Sequence, residues 1–388
     1  MMIHVLDFLI DENLVVQNQQ ELSDMIRLAF YKENPSLFQK LIYDDDNIFL
    51  EPTLFHYFSG NKNYKNKVSL ELAVYGYISG ESKPEQIIIE SDKFGMVNLP
   101  NIGYLKIEPN SQGILFKIKD KEAITNSGTM PIIPNIYVES TKIRLCLHPT
   151  DLITQRFETT FVETVQDTAI KYQRIIDNTA SIFQNVTPDF LRLLKTTCRE
   201  LVVFNSETQY SMAALSYYGV GFINVANETR KKLFFVDDIA HQCGHVIYHA
   251  LTLKVENFLK VHKESPLKEF TYIDGESRTV YGAFHGLFTY TTILHSLDKC
   301  LDNSIFHENE KHEAIGRLGF YMDKFQKDLE HMNDKRILTN QGFEFYEMFL
   351  SGYKKIKKKY RSLLFSLDYK NQPYLFNYKL FQAINPLK

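Results

Sequence analysis

The sequence predicts an α+β fold, with a β-rich, mixed N-terminal region over residues 1–150 followed by a mainly helical region over 151–388. Three observations predict it. Between Val68 and Leu147 come short runs of β-branched residues, set apart by Gly, Pro, Asn and Ser turns. After His148-Pro149 apolar residues recur at helical spacing for most of the remaining chain. The 388 residues are 44% apolar, enough for a sizeable core in one large domain or two ordinary ones.

The elements follow in order. The first ~55 residues read as helical, because ELSDMIRLAFYKENPSLFQKLI places apolar residues at helical intervals, with a break expected near Pro35. QIIIESD, YLKIEP, GILFKIKD, IYVES and KIRLCL then read as short strands. RFETTFVETVQDTAIKYQRIIDNTASIF is a long amphipathic helix ending before Asn185 and Pro188, and DFLRLLKTTC is a second. ELVVFNSE and YYGVGFINVA read as two strands before a polar loop, NETRKK. The segment FFVDDIAHQCGHVIYHALTLKVENFL is helical, with Asp237 or Asp238 expected as its cap. TVYGAFHGLFTYTTILHSLDKCL and HEAIGRLGFYMDKFQKDLEHM supply two more helices. The basic run KKIKKKYR at 354–361 reads as the solvated face of another.

Composition narrows the function classes. A net charge of −3 offers no positive field for a phosphate backbone, so nucleic acid is not an expected partner. Cys146, Cys198, Cys243 and Cys300 stand far apart without a C-x-x-C pair, which argues against a disulfide framework and points to a reducing cytoplasm. The opening MMIHVLDFLIDENLVV has neither a basic flank nor a cleavage site, so export is not expected. No stretch approaches the ~20 uninterrupted apolar residues of a membrane span.

His241 and His245 carry the chemical signal. Four residues apart on a helix, their imidazoles leave one face about a turn apart and can grip one metal ion. The spacing is that of H-E-x-x-H, in which the glutamate after the first histidine is the base for a metal-bound water. Here that position is Gln242, whose carboxamide cannot take a proton near neutral pH. A redox metal that activates oxygen does not need that base, so Gln242 favours oxidation over hydrolysis. His285 is the expected third ligand, because Gly282, Ala283 and Gly286 around it would let its helix approach the first. His249 and His295 are rival ligands, with His249 expected in the core or beside the ligands. Cys243 reads as a buried small hydrophobe, and Gly244 as a point of close packing.

At these residues the chain resembles the HExxH-type, 2-oxoglutarate-dependent peptide β-hydroxylases that tailor ribosomally made peptides. HQCGH follows the strand-like YYGVGFINVA, where that family has a serine- and glycine-containing strand before its metal helix. RTVYGAFHG resembles the family's arginine seven residues before a histidine and glycine. The resemblance covers about residues 165 to 300. It implies iron(II), 2-oxoglutarate and O2, a ribosomal precursor peptide as substrate, and His241, His245 and His285 as iron ligands. Arg278 is then the partner for a 2-oxoglutarate carboxylate, gripped bidentately, unless it pairs with Asp274 or Glu276. Glu276 or Asp274 is the alternative ligand to His285, which would restore the commoner two-histidine, one-carboxylate set. Two other readings compete: a zinc metallopeptidase-like protein or its inactive descendant, and a non-catalytic peptide-binding protein. The N-terminal region is a candidate for recognising a leader peptide by strand addition.

Overall fold

Alternating burial opens the chain with strands, in place of the helix expected there: β1 (Met2–Val5) and β2 (Phe8–Asp11) form an antiparallel hairpin. Leu6 turns it with φ 58°, a conformation that neither Leu6 nor Asp7 advertises in sequence. The computed structural model describes residues 1–60, 68–150, 162–226 and 228–387. From the hairpin the chain enters α1 (Glu12–Glu33), and Pro35 ends that run by opening the short α2 (Pro35–Phe38). Short helices α3 (Asp46–Phe49), α4 (Pro52–Ser59) and α5 (Leu70–Val74) follow.

The strands expected between Val68 and Leu147 are present as β3 (Ile87–Glu90), β4 (Met96–Leu99), β5 (Gly103–Lys106), β6 (Gln112–Lys119), β7 (Glu122–Thr125), β8 (Gly128–Pro131), β9 (Ile133–Pro134), β10 (Ile136–Tyr137) and β11 (Arg144–Leu145). The expected helix from Arg156 begins, as α6, at Val165 and runs to Val186; its residues up to 161 lie outside the described residues. After α7 (Pro188–Thr197) come β12 (Glu200–Phe204) and β13 (Val220–Asn224), then α8 (Lys232–Leu251) and α9 (Lys268–Thr271). The chain closes with α10 (Val280–Asp302), α11 (Glu308–Met332), α12 (Asn340–Phe365) and α13 (Tyr378–Ile384). Helix makes up 52% of the chain and strand 15%, in several small sheets toward the N-terminal half, so the fold is α+β. No helix among the described residues is long and apolar enough to cross a membrane.

Contacts gather into two units that do not follow a single cut at residue 150. One comprises Met1–Val15, Asn178–Leu194 and Arg230–Lys388; the other comprises Val16–Asp177 and Lys195–Thr229. In the second unit β3-β6-β7-β8 and β4-β5-β9 are antiparallel sheets over a core that includes Ile87, Ile89, Leu99, Leu105 and Leu115. A third sheet, β10-β11-β12-β13, is parallel from β11 to β13 and packs Val202, Phe204, Val220 and Phe222. Buried Arg144 lies between the carboxylates of Glu51, at 2.8 Å, and Glu200.

The first unit is a helical assembly on which the hairpin docks. Phe8 of β2 meets Phe349 at 4.7 Å, Phe345 at 4.8 Å and Phe288 at 5.3 Å between ring centroids. The basic run sits on α12, where Lys355 pairs with Asp7 and Lys359 with Asp298 and Asp302. α8 starts one and a half turns before the expected cap. Lys231 holds the N-cap position without a side-chain bond, while Asp237 is buried and pairs with Arg317 at 2.6 Å. An ion partner eighty residues away outcompetes the local capping role.

Candidate metal centre

Both helices that carry the histidines are apolar almost all round, as core helices are. The partly exposed positions of α8 include Phe234, Asp238, His241 and His245, which recur every three or four residues and so form one accessible stripe. On α10 the corresponding stripe holds Gly282, Gly286 and Tyr290. The histidine pair therefore lies on a partly exposed line of an otherwise buried helix, with most of each ring covered.

His285 completes the group from α10. Its Nε2 lies 2.7 Å from His245 Nδ1, and their rings meet edge to face at 4.1 Å. The His241 ring sits 5.0 Å from that of His245. His249 also meets His285, 4.6 Å away between ring centroids; it is buried, with no hydrogen-bond partner for Nδ1 among the described residues. Tyr248 stacks on His285 at 5.2 Å. Burial first, and then repulsion from neighbouring histidines when charged, holds His245 and His285 well below the ordinary imidazole pKa. His241 falls to about 4 through burial and the nearby Lys324 ammonium. All three are neutral donors near pH 7.

Among the described residues no group of three or more His, Cys, Asp or Glu side chains is arranged to hold a metal ion as it stands. His245 and His285 instead share a hydrogen bond. Two imidazole nitrogens on one divalent ion, each at about 2.1 Å, stand about 3.0 Å apart at a right angle and about 3.4 Å apart at a tetrahedral one. The 2.7 Å separation is shorter than that, so these two nitrogens are close enough to converge on one ion only after the hydrogen bond between them is given up.

The small residues act differently from their expected role. Gly286 abuts Asp328 Oδ2 of α11, and Gly282 is exposed, so neither sets the distance to α8. The close approach comes from α8 itself. A Cβ on Gly244 would lie 2.5 Å from Thr292 Oγ1, and that hydroxyl donates to Ala240 O across the two helices at 2.8 Å. His295 faces away from the cluster's chemistry: its Nδ1 accepts the Leu6 N–H at 2.9 Å. Cys243 is buried and outside any disulfide.

Arg278 is held by two carboxylates. It donates to Glu276 through Nε and Nη2, at 3.0 and 2.7 Å, and to Asp328 through Nη1 and Nη2, at 2.7 and 2.8 Å. These bonds hold Glu276 down at about 2 and raise the guanidinium further. Asp274 is exposed. Asp328 and Lys324, one turn apart on α11, had no signal in the sequence beyond their place in an amphipathic helix. Lys324 is pushed down to about 8 by burial, against the pull of Asp328, and its ammonium is the charge that His241 feels. Gln242 is buried; it donates to Asp238 Oδ1 at 3.3 Å, while its Oε1 has no hydrogen-bond partner.

The arrangement thus offers three neutral imidazoles with the Lys324 ammonium near His241, and an amide at the position next to His241. No protein-family model matches the chain, and a search of curated proteins finds no significant match to it.

Proposed function

We propose that the chain is an iron(II)- and 2-oxoglutarate-dependent oxygenase that hydroxylates an unactivated side-chain carbon of a ribosomal precursor peptide. The observation that carries this reading is the meeting of His245 and His285 nitrogens at 2.7 Å, with His241 beside them on the accessible stripe of α8. The motif resemblance to the peptide β-hydroxylases supports it. So does Gln242, which leaves a hydrolytic mechanism without its proton acceptor.

His241, His245 and His285 would hold the iron, which when bound supplies the activation of O2. In the net reaction one oxygen atom enters the peptide C–H bond as hydroxyl, and the other enters succinate as 2-oxoglutarate loses CO2. Arg278 would take a carboxylate of 2-oxoglutarate in place of one of the two it now grips, and its side chain is 35% exposed, so that exchange needs no unfolding. Lys324 places a positive charge near His241. Tyr248 and Phe284, packed on each other at 5.8 Å, form the apolar wall behind His285. Four buried cysteines outside disulfides suit work in a reducing cytoplasm.

The test is metal analysis of anaerobically purified protein reconstituted with iron(II), beside His241→Ala and His285→Ala, with succinate formation from 2-oxoglutarate as the second readout. One iron per chain, lost in both variants and accompanied by succinate, is the expected result. Tightly held zinc without turnover would replace this reading with the metallopeptidase-like one. No metal in any sample would leave a non-catalytic peptide-binding protein.

A further inference from the structure

The edge of the N-terminal hairpin carries a groove that the histidine cluster does not use. β1 and β2 form a two-stranded sheet, and among the described residues β2 pairs with β1 alone. Glu12 N–H bonds to Met1 O at 3.0 Å, which fixes the ladder's alternation so that Leu9 and Asp11 turn their backbone groups away from β1. The outward N–H of Leu9 finds the Met348 sulfur at 3.4 Å, and a thioether is a weak acceptor. A strand edge in this condition is a template for another strand.

The space beside that edge, about 780 Å³, is floored by buried Leu251 and Phe345 and walled by Leu9, Phe343 and Met348. Among the described residues its charged lining consists of Asp11, Glu344 and Glu347, all exposed, with no lysine or arginine.

We infer that this groove binds an extended, basic peptide segment, which adds to β2 as a third strand and seats alternate apolar side chains on Leu251 and Phe345. A carbonyl from the peptide would give Leu9 N–H the acceptor that Met348 supplies poorly, and lysine or arginine side chains would meet the three carboxylates. A docked helix would leave the Leu9 N–H with the thioether. A second copy of this chain would set Asp11, Glu344 and Glu347 against themselves, which like-charge repulsion disfavours. The inference shares with the proposed function only the peptide nature of the partner and needs no metal.

The experiment selects a randomised decapeptide display library on the full-length protein in the presence of a metal chelator, so that the iron reading can fail without affecting it. Binding of the enriched peptides is then measured by fluorescence anisotropy on three proteins. Leu9→Pro removes the outward N–H at an edge where proline is tolerated, and circular dichroism checks its fold. Glu344→Lys/Glu347→Lys changes exposed side chains alone, so it keeps the test decisive if the proline variant misfolds. The expected result is enrichment of alternating apolar and basic sequences, with affinity falling about tenfold or more in each variant. Enriched peptides that bind all three proteins equally would overturn the inference. So would a library with no enrichment, or a concentration-dependent dimer that buries Leu9.

Discussion

Gly244→Ala separates the packing of the two histidine helices from their propensity to be helical. On an isolated helix the change would stabilise by about 1 kcal/mol, because alanine loses less backbone freedom than glycine. Here the new methyl would stand 2.5 Å from Thr292 Oγ1 and 3.4 Å from Thr292 Cβ and Cγ2. Thr292 is fully buried, and its hydroxyl is engaged by Ala240 O at 2.8 Å and Thr289 O at 2.9 Å, so it cannot swing aside without losing both. Overpacking of this kind costs about 1–3 kcal/mol, and the interhelical hydrogen bond adds about 1 kcal/mol. The net expectation is a loss of about 1–3 kcal/mol, after the propensity gain. Urea unfolding of Gly244→Ala, Thr292→Ala and the double variant measures it. Removing the Thr292 hydroxyl opens the space the new methyl needs, so the two changes should be strongly non-additive, the double variant regaining about 1–2 kcal/mol relative to the sum. A Gly244→Ala protein as stable as the wild type, or strict additivity, would refute the close approach of α8 and α10.

Three further outcomes follow from buried charge. Burial, with Lys299 and Lys355 nearby, pushes His295 down to about 3, and its Nδ1 must stay unprotonated to accept the Leu6 N–H. The folded state therefore binds fewer protons than the unfolded one below pH 6.5, so this stability is complete above that pH and is lost as pH falls toward 3. The loss is about 2 kcal/mol by pH 5; His295→Asn, which keeps an acceptor but cannot titrate, should flatten the pH dependence of urea unfolding by that amount. Arg278→Ala should cost about 2 kcal/mol in thermal unfolding, the lower end of the range because the guanidinium is partly solvated, by stranding the Asp328 carboxylate, whose side chain is 4% exposed. Arg278→Lys should recover little of it, since one ammonium cannot make two bidentate pairs. In the other unit, Arg144→Leu should cost about 3–5 kcal/mol in chemical unfolding, and neutralising Glu51 and Glu200 to glutamine in the same chain should restore much of it.

What the sequence disclosed and what it hid divide along the range of the interactions concerned. The helices of 232–251 and 280–302 were legible because their apolar spacing is local, and the strands between Val68 and Leu147 because β-branched runs alternate with turn residues. The opening hairpin was not, since its turn at Leu6 and Asp7 lacks the glycine or asparagine that marks a left-handed corner. Asp237 looked like a helix cap because aspartate before an apolar run usually is one. Its partner, Arg317, is visible only once α8 and α11 are packed. The candidate site shows the same division. His241 and His245 share a face by spacing alone, whereas the pairing of Arg278 with Asp328, fifty residues on, required the fold.

Gln242 is better explained by its surroundings than as a base that was lost. His241 and His245 lie on the accessible stripe of α8, but position 242 is turned about 100° around the helix from 241 and is buried. There the amide donates to Asp238 of the preceding turn at 3.3 Å. A glutamate at 242 would set a second carboxylate against that aspartate in a place with little water, and both could not stay charged without a cation between them. Glutamine supplies the donor that Asp238 accepts, at the cost of one unpaired carbonyl oxygen. Gln242 thus settles the electrostatics of the helix that presents the histidines, from a buried position off their accessible side.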